Sequence, residues 1–403
     1  MTKAESKFFD WIEKNIIYIL FVAVTILGVA ARFFGIDFQS DDYNSFLNPW
    51  WSSIEAGGVT GLATQVGNYN IPYQVITYLF TLLPFGSLYS YKLISIVFDF
   101  VLAVSAALVE YSFDDKKSRI KALLTYSIVL CSLTVILNSS FWAQCDSIYV
   151  AFILLAIYFT KKDRNILAFV MLGIAFSFKL QTIFIIPVFI FYYISTRKIS
   201  ILHFLIIPLV DVLMCLPAIV LGRNIKEVFT IYAEQTDYGK QIQMNCPNLW
   251  ALICDRTDTT YYYLFKNLSI VLAVLVLGVG LALVIYKRVD MSNRSNFLLA
   301  SIWTVFTCLV FLSSMHERYG YLLDILTIIY AVVTVKRVWL PVLCQLVSLR
   351  GYCFYLFSYD VLDIKIVAVI YVAVYAYVTY MFVKDVVLDG AKLKATANVK
   401  LKK

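Results

Sequence analysis

Charge is what this chain has least of. Only 15% of its 403 residues are Asp, Glu, Lys or Arg, against 61% hydrophobic, and mean hydropathy is +0.79. That balance excludes an ordinary soluble domain. Histidine is nearly absent, with His203 and His316 the only two, and the eight cysteines show no zinc-type spacing. A glycine-rich phosphate loop, HExxH, GxSxG and Walker patterns are all missing, so soluble nucleotides and standard hydrolase sites are unsupported. The first apolar run starts late, is long and lacks a small-residue cleavage site, so it reads as a first transmembrane helix and not a leader. There is no internal repeat of the transporter kind and no separate soluble domain.

What is abundant is long apolar sequence, recurring from Asn15 to Val383 between charges and turn residues. Runs of ~18 or more apolar residues have few other stable fates than crossing a bilayer. The expectation is an all-α polytopic transmembrane bundle forming one domain over residues 1–383, followed by a basic cytoplasmic tail, 384–403. The net charge of +8 is then no sign of nucleic-acid binding, because lysine and arginine collect at helix ends on the cytoplasmic side. Alternating the runs gives about 12 crossings, with both termini inside. Ile71–Pro84 is too short to cross and is expected to be re-entrant, and the last pair of spans is expected over Trp339–Ser348 and Val361–Val383. Two loops, 36–70 and 222–262, reach the outer face of a plasma membrane. Cys246 and Cys254 share the second loop and could pair. Several spans near Trp142 and Lys179 have only 12–13 apolar residues, about 20 Å of helix, so their turns should lie in a recessed, water-filled crevice.

The polar motifs all fall on that one face, as an active site requires. Gly35–Asn70 carries Asp41 and Asp42, then Phe46, Leu47, Trp50, Trp51 and Ile54 at helical spacing, suiting a helix in the membrane interface. A carboxylate there can take a proton from an attacking hydroxyl; equally, either aspartate can cap the helix starting near Tyr43. In SSMHERYGY, His316, Glu317, Arg318 and Tyr319 lie between apolar spans, where such residues are costly and usually functional. His316 and Arg318 suit a phosphate, with Lys179 a further candidate cation. Trp142, Gln144 and Asp146 on one turn and Gln181 on the next offer an apolar face and hydroxyl partners of the kind that hold sugars, though an interfacial Trp and Lys would also anchor helices. Asn245 and Asn248 offer weaker contacts. Lys92 and Asp99, two turns apart on one helix, read as a buried pair or a link between helices.

Taken in order, SDDYNSFLNPWW, GNYNIPY, FWAQCDSIYVAF, FSFKLQTIFIIP and MHERYGYLLDIL resemble the bacterial GT-C glycosyltransferases related to GPI-anchor mannosyltransferases, from about Asp37 to Asp324. The resemblance implies an inverting membrane glycosyltransferase using a polyprenyl-phosphate sugar donor and a cell-envelope glycan or lipid acceptor. It places the family's acidic residue on Asp42, with Asp41 its variable neighbour. It puts Arg318, His316 and Lys179 at the donor phosphate. Trp142, Gln144, Asp146, Gln181, Glu317, Tyr319, Asn68, Asn70, Asn245 and Asn248 would contact substrate. Family members carry glycine where this chain has Ala143. No cofactor is implied, although Asp41 with Asp42 could hold a divalent cation weakly. A transporter or polymerase of lipid-linked glycans, or a non-catalytic assembly subunit, would use similar features.

Overall fold

The computed structural model describes residues 1–236, 239–256 and 259–390. It is an all-helical polytopic bundle. Among the described residues seven helices are long and apolar enough to cross a membrane, and a pair bent by 47° at Cys131–Ser132 makes eight. The twelve expected crossings would also need the shorter helices between them. The chain opens with α1 (Lys3–Phe33), then α2 (Asn48–Gly57), α3 (Ile71–Thr81), α4 (Ser87–Phe113), α5 (Arg119–Leu130) and the single turn α6 (Leu133–Ile136). Next come α7 (Asp146–Lys161), α8 (Asn165–Phe178), α9 (Ile186–Thr196), α10 (Ile206–Val220), α11 (Ile225–Thr236) and α12 (Leu249–Ile253). The last five are α13 (Tyr262–Tyr286), α14 (Arg294–Phe311), α15 (Tyr321–Thr334), α16 (Trp339–Phe357) and α17 (Ile364–Met381).

The core is built on α4, which packs against α5 and α7, while α7 packs on α8 and α14 on α15 and α17. Serine, alanine and other small residues recur along the contact faces: Ala103, Ala106, Ala151, Ala156, Ser105 and Ala168 are all buried. With no water to expel between lipid-facing helices, close approach of this kind supplies the packing. α1 and α13 lie at the edge, with most of their apolar side chains facing outward.

Ile71–Pro84 forms an 11-residue helix, about 16 Å long, too short for a bilayer core. Asn70 caps it, and its first turn is buried. One expectation needs correction. The span placed at Trp339–Ser348 continues to Phe357, because Arg350 stays within the helix: its guanidinium is tied to Asp360 and to the Leu362 carbonyl. Within the expected tail, Val386 and Val387 are buried in the main core. Residues 391–403 of that tail lie outside the described residues. Cys246 and Cys254 are both buried.

Candidate active site

Helix breaks carry the polar side chains. After α1 the chain turns at Gly35–Phe38 and re-enters a helix at Asp41. Ser40 is the cap, its hydroxyl accepting from the Tyr43 amide at 3.2 Å, so neither aspartate is used in capping. Residues Tyr43–Leu47 form a wide π turn in which the Asn48 amide reaches the Tyr43 carbonyl. Pro49 explains the widening: it has no N–H to give, and its ring crowds the carbonyl four residues back. The register then sets Leu47, Trp51 and Ile54 inward, with Trp51 edge-on to Tyr91, while Phe46 and Trp50 are turned toward a cavity. The tryptophan pair is therefore divided between core and cavity instead of lying together at the membrane interface.

A second π turn, Leu137–Phe141, ends with the Trp142 amide bonded to the Leu137 carbonyl at 2.9 Å. Ala143 follows with φ of +61°, and the Trp142–Gln144 turn faces the first loop. There Asp42 becomes the acceptor of three side chains. Trp142 Nε1 donates to Oδ2 at 2.8 Å and Gln144 Nε2 at 2.9 Å, while the Tyr355 hydroxyl donates to Oδ1. Tyr355 also stacks on Trp142, with centroids 4.4 Å apart. Three donors orient the carboxylate and leave lone pairs for a substrate proton. Asp41, by contrast, is exposed and makes no side-chain hydrogen bond among the described residues.

Arg318 enters from the turn between α14 and α15. Its Nη1 lies 3.8 Å from Asp42 Oδ2, and its Nε lies 3.7 Å from Asp146 Oδ2. These are distances for ionic attraction without direct hydrogen bonds, and Nε is buried with no hydrogen-bond partner among the described residues. The guanidinium rests over Trp142, 5.3 Å from the ring centroid. An arginine held this way has donors in reserve for an anion. Lys179 is differently placed. It interrupts α8 in an extended conformation and its Nζ meets Asp146 Oδ1 at 2.5 Å. Asn138 donates to the other oxygen of Asp146 at 2.8 Å, so this carboxylate is fully engaged and its charge neutralises the lysine.

His316 pairs with the second loop: Met315–His316 (β2) runs parallel to Gln243–Met244 (β1), and Asn245 bridges to His316. Burial and the neighbouring Arg318, Lys179 and Arg256 charges hold His316 well below its ordinary value, so it is a neutral donor or acceptor and not a cation. Glu317 is buried, its Oε1 3.9 Å from Arg318 Nη1 and without a hydrogen bond among the described residues. Burial pushes its carboxyl up to about 7 in spite of Arg318. Gly351 makes this possible, because a Cβ there would lie 2.6 Å from Glu317 Cβ.

Two cavities meet at this point. One, of about 260 Å³, is lined by Asp42, Phe46, Trp50, Gln144 and Tyr355. The other, of about 270 Å³, runs from Lys179, Gln181 and Tyr319 to an apolar end at Ile183, Phe184, Ile270 and Leu312. Asn68, Tyr69, Met244, His316 and Arg318 border both. Of the expected contacts, Asn70 and Asn248 are placed elsewhere. Asn70 caps α3 and donates to Asp211 and Tyr232; Asn248 caps α12 and donates to the Leu309 and Leu312 carbonyls. Trp142, Asn245, Asp146 and Glu317 are buried behind the cavities and not in their linings. No group of three His, Cys, Asp or Glu side chains is arranged to hold a metal among the described residues.

Tyr355, Tyr352 and Tyr69 are the residues that sequence reasoning passed over. Tyr69 donates to Gln144 Oε1 at 2.7 Å, and the Tyr352 hydroxyl accepts from Asn138 Nδ2 at 3.0 Å. The signal for the α16 pair was their spacing: three residues apart, they continue the face of a helix ended too early. Arg223 was also missed. Fully buried, it binds the Leu62 and Thr64 carbonyls and the Gln65 and Gln74 side chains, fastening the second loop to the first.

Residues 68–314 match the model of glycosyltransferase family 87. That segment includes the Trp142–Asp146 turn and Lys179 but stops short of Asp42 on one side and His316–Tyr319 on the other. No curated protein matches the chain.

Proposed function

The chain belongs to glycosyltransferase family 87, and on that premise we propose an inverting transfer from a polyprenyl-phosphate sugar to a hydroxyl of a cell-envelope glycan or lipid. The observation that carries this reading is the opposition of Asp42 and Arg318 where two cavities join. Asp42, held by Trp142, Gln144 and Tyr355, takes the proton of the acceptor hydroxyl. That oxygen bonds to the anomeric carbon while the bond from carbon to phosphate oxygen breaks, and the lipid phosphate leaves with the electron pair. Arg318 supports the negative charge that grows on the phosphate, with neutral His316 as a hydrogen-bond partner. The acceptor occupies the Asp42 cavity, whose aromatic walls suit a sugar ring. The donor phosphate occupies the second cavity, with its lipid toward the apolar end.

Inversion is supported by the state of the other carboxylates. Asp146 is locked between Lys179 and Asn138, which leaves Asp42 as the one aspartate lining a cavity in this cluster. The reaction face is assigned to the outside of the plasma membrane because lysines and arginines crowd the loops at the opposite ends of the helices. The test uses purified protein in nanodiscs, synthetic polyprenyl-phosphate hexoses and envelope glycolipids, comparing wild type with Asp42→Asn. Transfer should require the lipid-linked donor, fall at least about 100-fold in the variant, and yield the inverted anomer. A variant as fast as wild type removes Asp42 as the base. Transfer from a nucleotide sugar alone removes the lipid donor.

A further inference from the structure

Lys92 lies on α4, outside both cavities, fully buried, and the proposed reaction gives it no part. Asp99, two turns along the same helix, is not its partner. Asp99 instead accepts from Arg32 on the last turn of α1 at 2.9 Å, from Ser139 in the second π turn at 2.5 Å, and from Ser147 on α7. The Lys92 ammonium reaches a different target. Its Nζ donates to the carbonyls of Gly35 at 2.6 Å, Ile36 at 2.8 Å and Phe38 at 2.5 Å.

Those three oxygens belong to the turn that carries the chain from α1 to Asp42. Three carbonyls converging on one point repel one another; the Gly35 oxygen also accepts the Phe38 amide at 3.1 Å, while those of Ile36 and Phe38 lie beyond the reach of donors from α1. An ammonium with three rotatable donors satisfies all of them from one side. The turn is also pressed against the second π turn, since a Cβ on Gly35 would lie 2.3 Å from the Phe141 ring. Four residues after Phe38, Asp42 must meet the Trp142 and Gln144 nitrogens. We propose that Lys92 is a positioning residue for the transfer, fixing the Gly35–Phe38 turn so that Asp42 stands in register with Arg318. Asp99 sets the facing turn from the same helix, so α4 aligns both halves of the site. The catalytic consequence rests on the proposed function; the hold on the turn does not.

The experiment separates the two. Hydrogen–deuterium exchange on wild type, Lys92→Met and Lys92→Gln in nanodiscs reads the amides of residues 35–47 without reference to activity. Lys92→Met should exchange there at least tenfold faster while α7 and α14 are unchanged, and Lys92→Gln, which keeps two donors, should fall between. In the transfer assay Lys92→Met should lose about 100-fold in kcat, the scale of a misplacement near 1 Å. The KM for polyprenyl-phosphate hexose should stay within threefold, because the donor cavity is untouched. Unchanged exchange at 35–47 overturns the proposal, as does a kcat within threefold of wild type when the turn has loosened. If Lys92→Met cannot be purified folded, a Lys92→Gln protein that matches wild type in both readouts overturns it equally. A wild-type protein that transfers no sugar but shows the exchange pattern sinks the proposed function and leaves the turn's anchor standing.

Discussion

Glu317 should set a pH dependence that can be worked out from its surroundings. Its carboxyl is buried, one oxygen lacks a hydrogen bond among the described residues, and burial raises it from 4.5 to about 7. Below about 4.5 the group is protonated in both folded and unfolded chains and contributes no difference. Between 4.5 and 7 the unfolded chain gives up a proton that the folded chain keeps, so stability falls as pH rises, and above 7 the loss is complete. A difference of that size corresponds to about 3 kcal/mol. Glu317→Gln keeps the volume and cannot ionise. Relative to wild type it should therefore be near neutral at pH 4.5–5 and more stable by a few degrees in unfolding midpoint at pH 8. The assay is a thermal melt of both proteins in one detergent across pH 4.5–8.5. The same charge opposes a phosphate at Arg318, so donor affinity in wild type should weaken as pH rises through 7, and this slope should flatten in the variant. Melting curves for the two proteins that run parallel across the whole range would refute the reasoning.

Three other outcomes follow from the same geometry. Lys179→Met removes the cation bonded to buried Asp146, leaving only Arg318 at 3.7 Å, and should cost about 3 kcal/mol in denaturant titration, and adding Asp146→Asn should restore part of that loss. Tyr355→Phe keeps the stack on Trp142 but removes the donor to Asp42, so kcat should fall about 10- to 100-fold with little change in donor KM. Ala143 sits in the left-handed region, where an L residue other than glycine is strained by about 1–2 kcal/mol. Ala143→Gly should thus be active and within about 1 kcal/mol of wild type in a thermal melt, while the β-branched Ala143→Val should destabilise by more than about 2 kcal/mol. Equal tolerance of both would contradict the backbone assignment.

That last position shows how sequence and structure divide the explanation. The glycine that family resemblance sets at residue 143 is intelligible only once φ is known to be positive. The chain by itself determined the class of molecule, because apolar runs of bilayer length permit little besides membrane helices. It also brought forward most of the polar cluster: Asp42, Trp142, Gln144, Lys179 and the His316–Tyr319 turn stand out because polar groups among apolar helices are costly unless used.

What the chain could not say was which of these side chains meet. Lys179 and Arg318 look alike as phosphate partners in sequence, yet one is neutralised by Asp146 while the other keeps a donor unpaired. Asp41 and Asp42 differ only through the π turn, the Ser40 cap and the Trp142 turn that holds one of them. Tyr355 and Lys92 contribute through contacts across 313 and 54 to 57 residues of chain, separations on which local periodicity carries no information. Local patterning reports how each segment meets lipid or protein. The partners of a buried charge are decided by which helices pack together, and here that is the arrangement around α4.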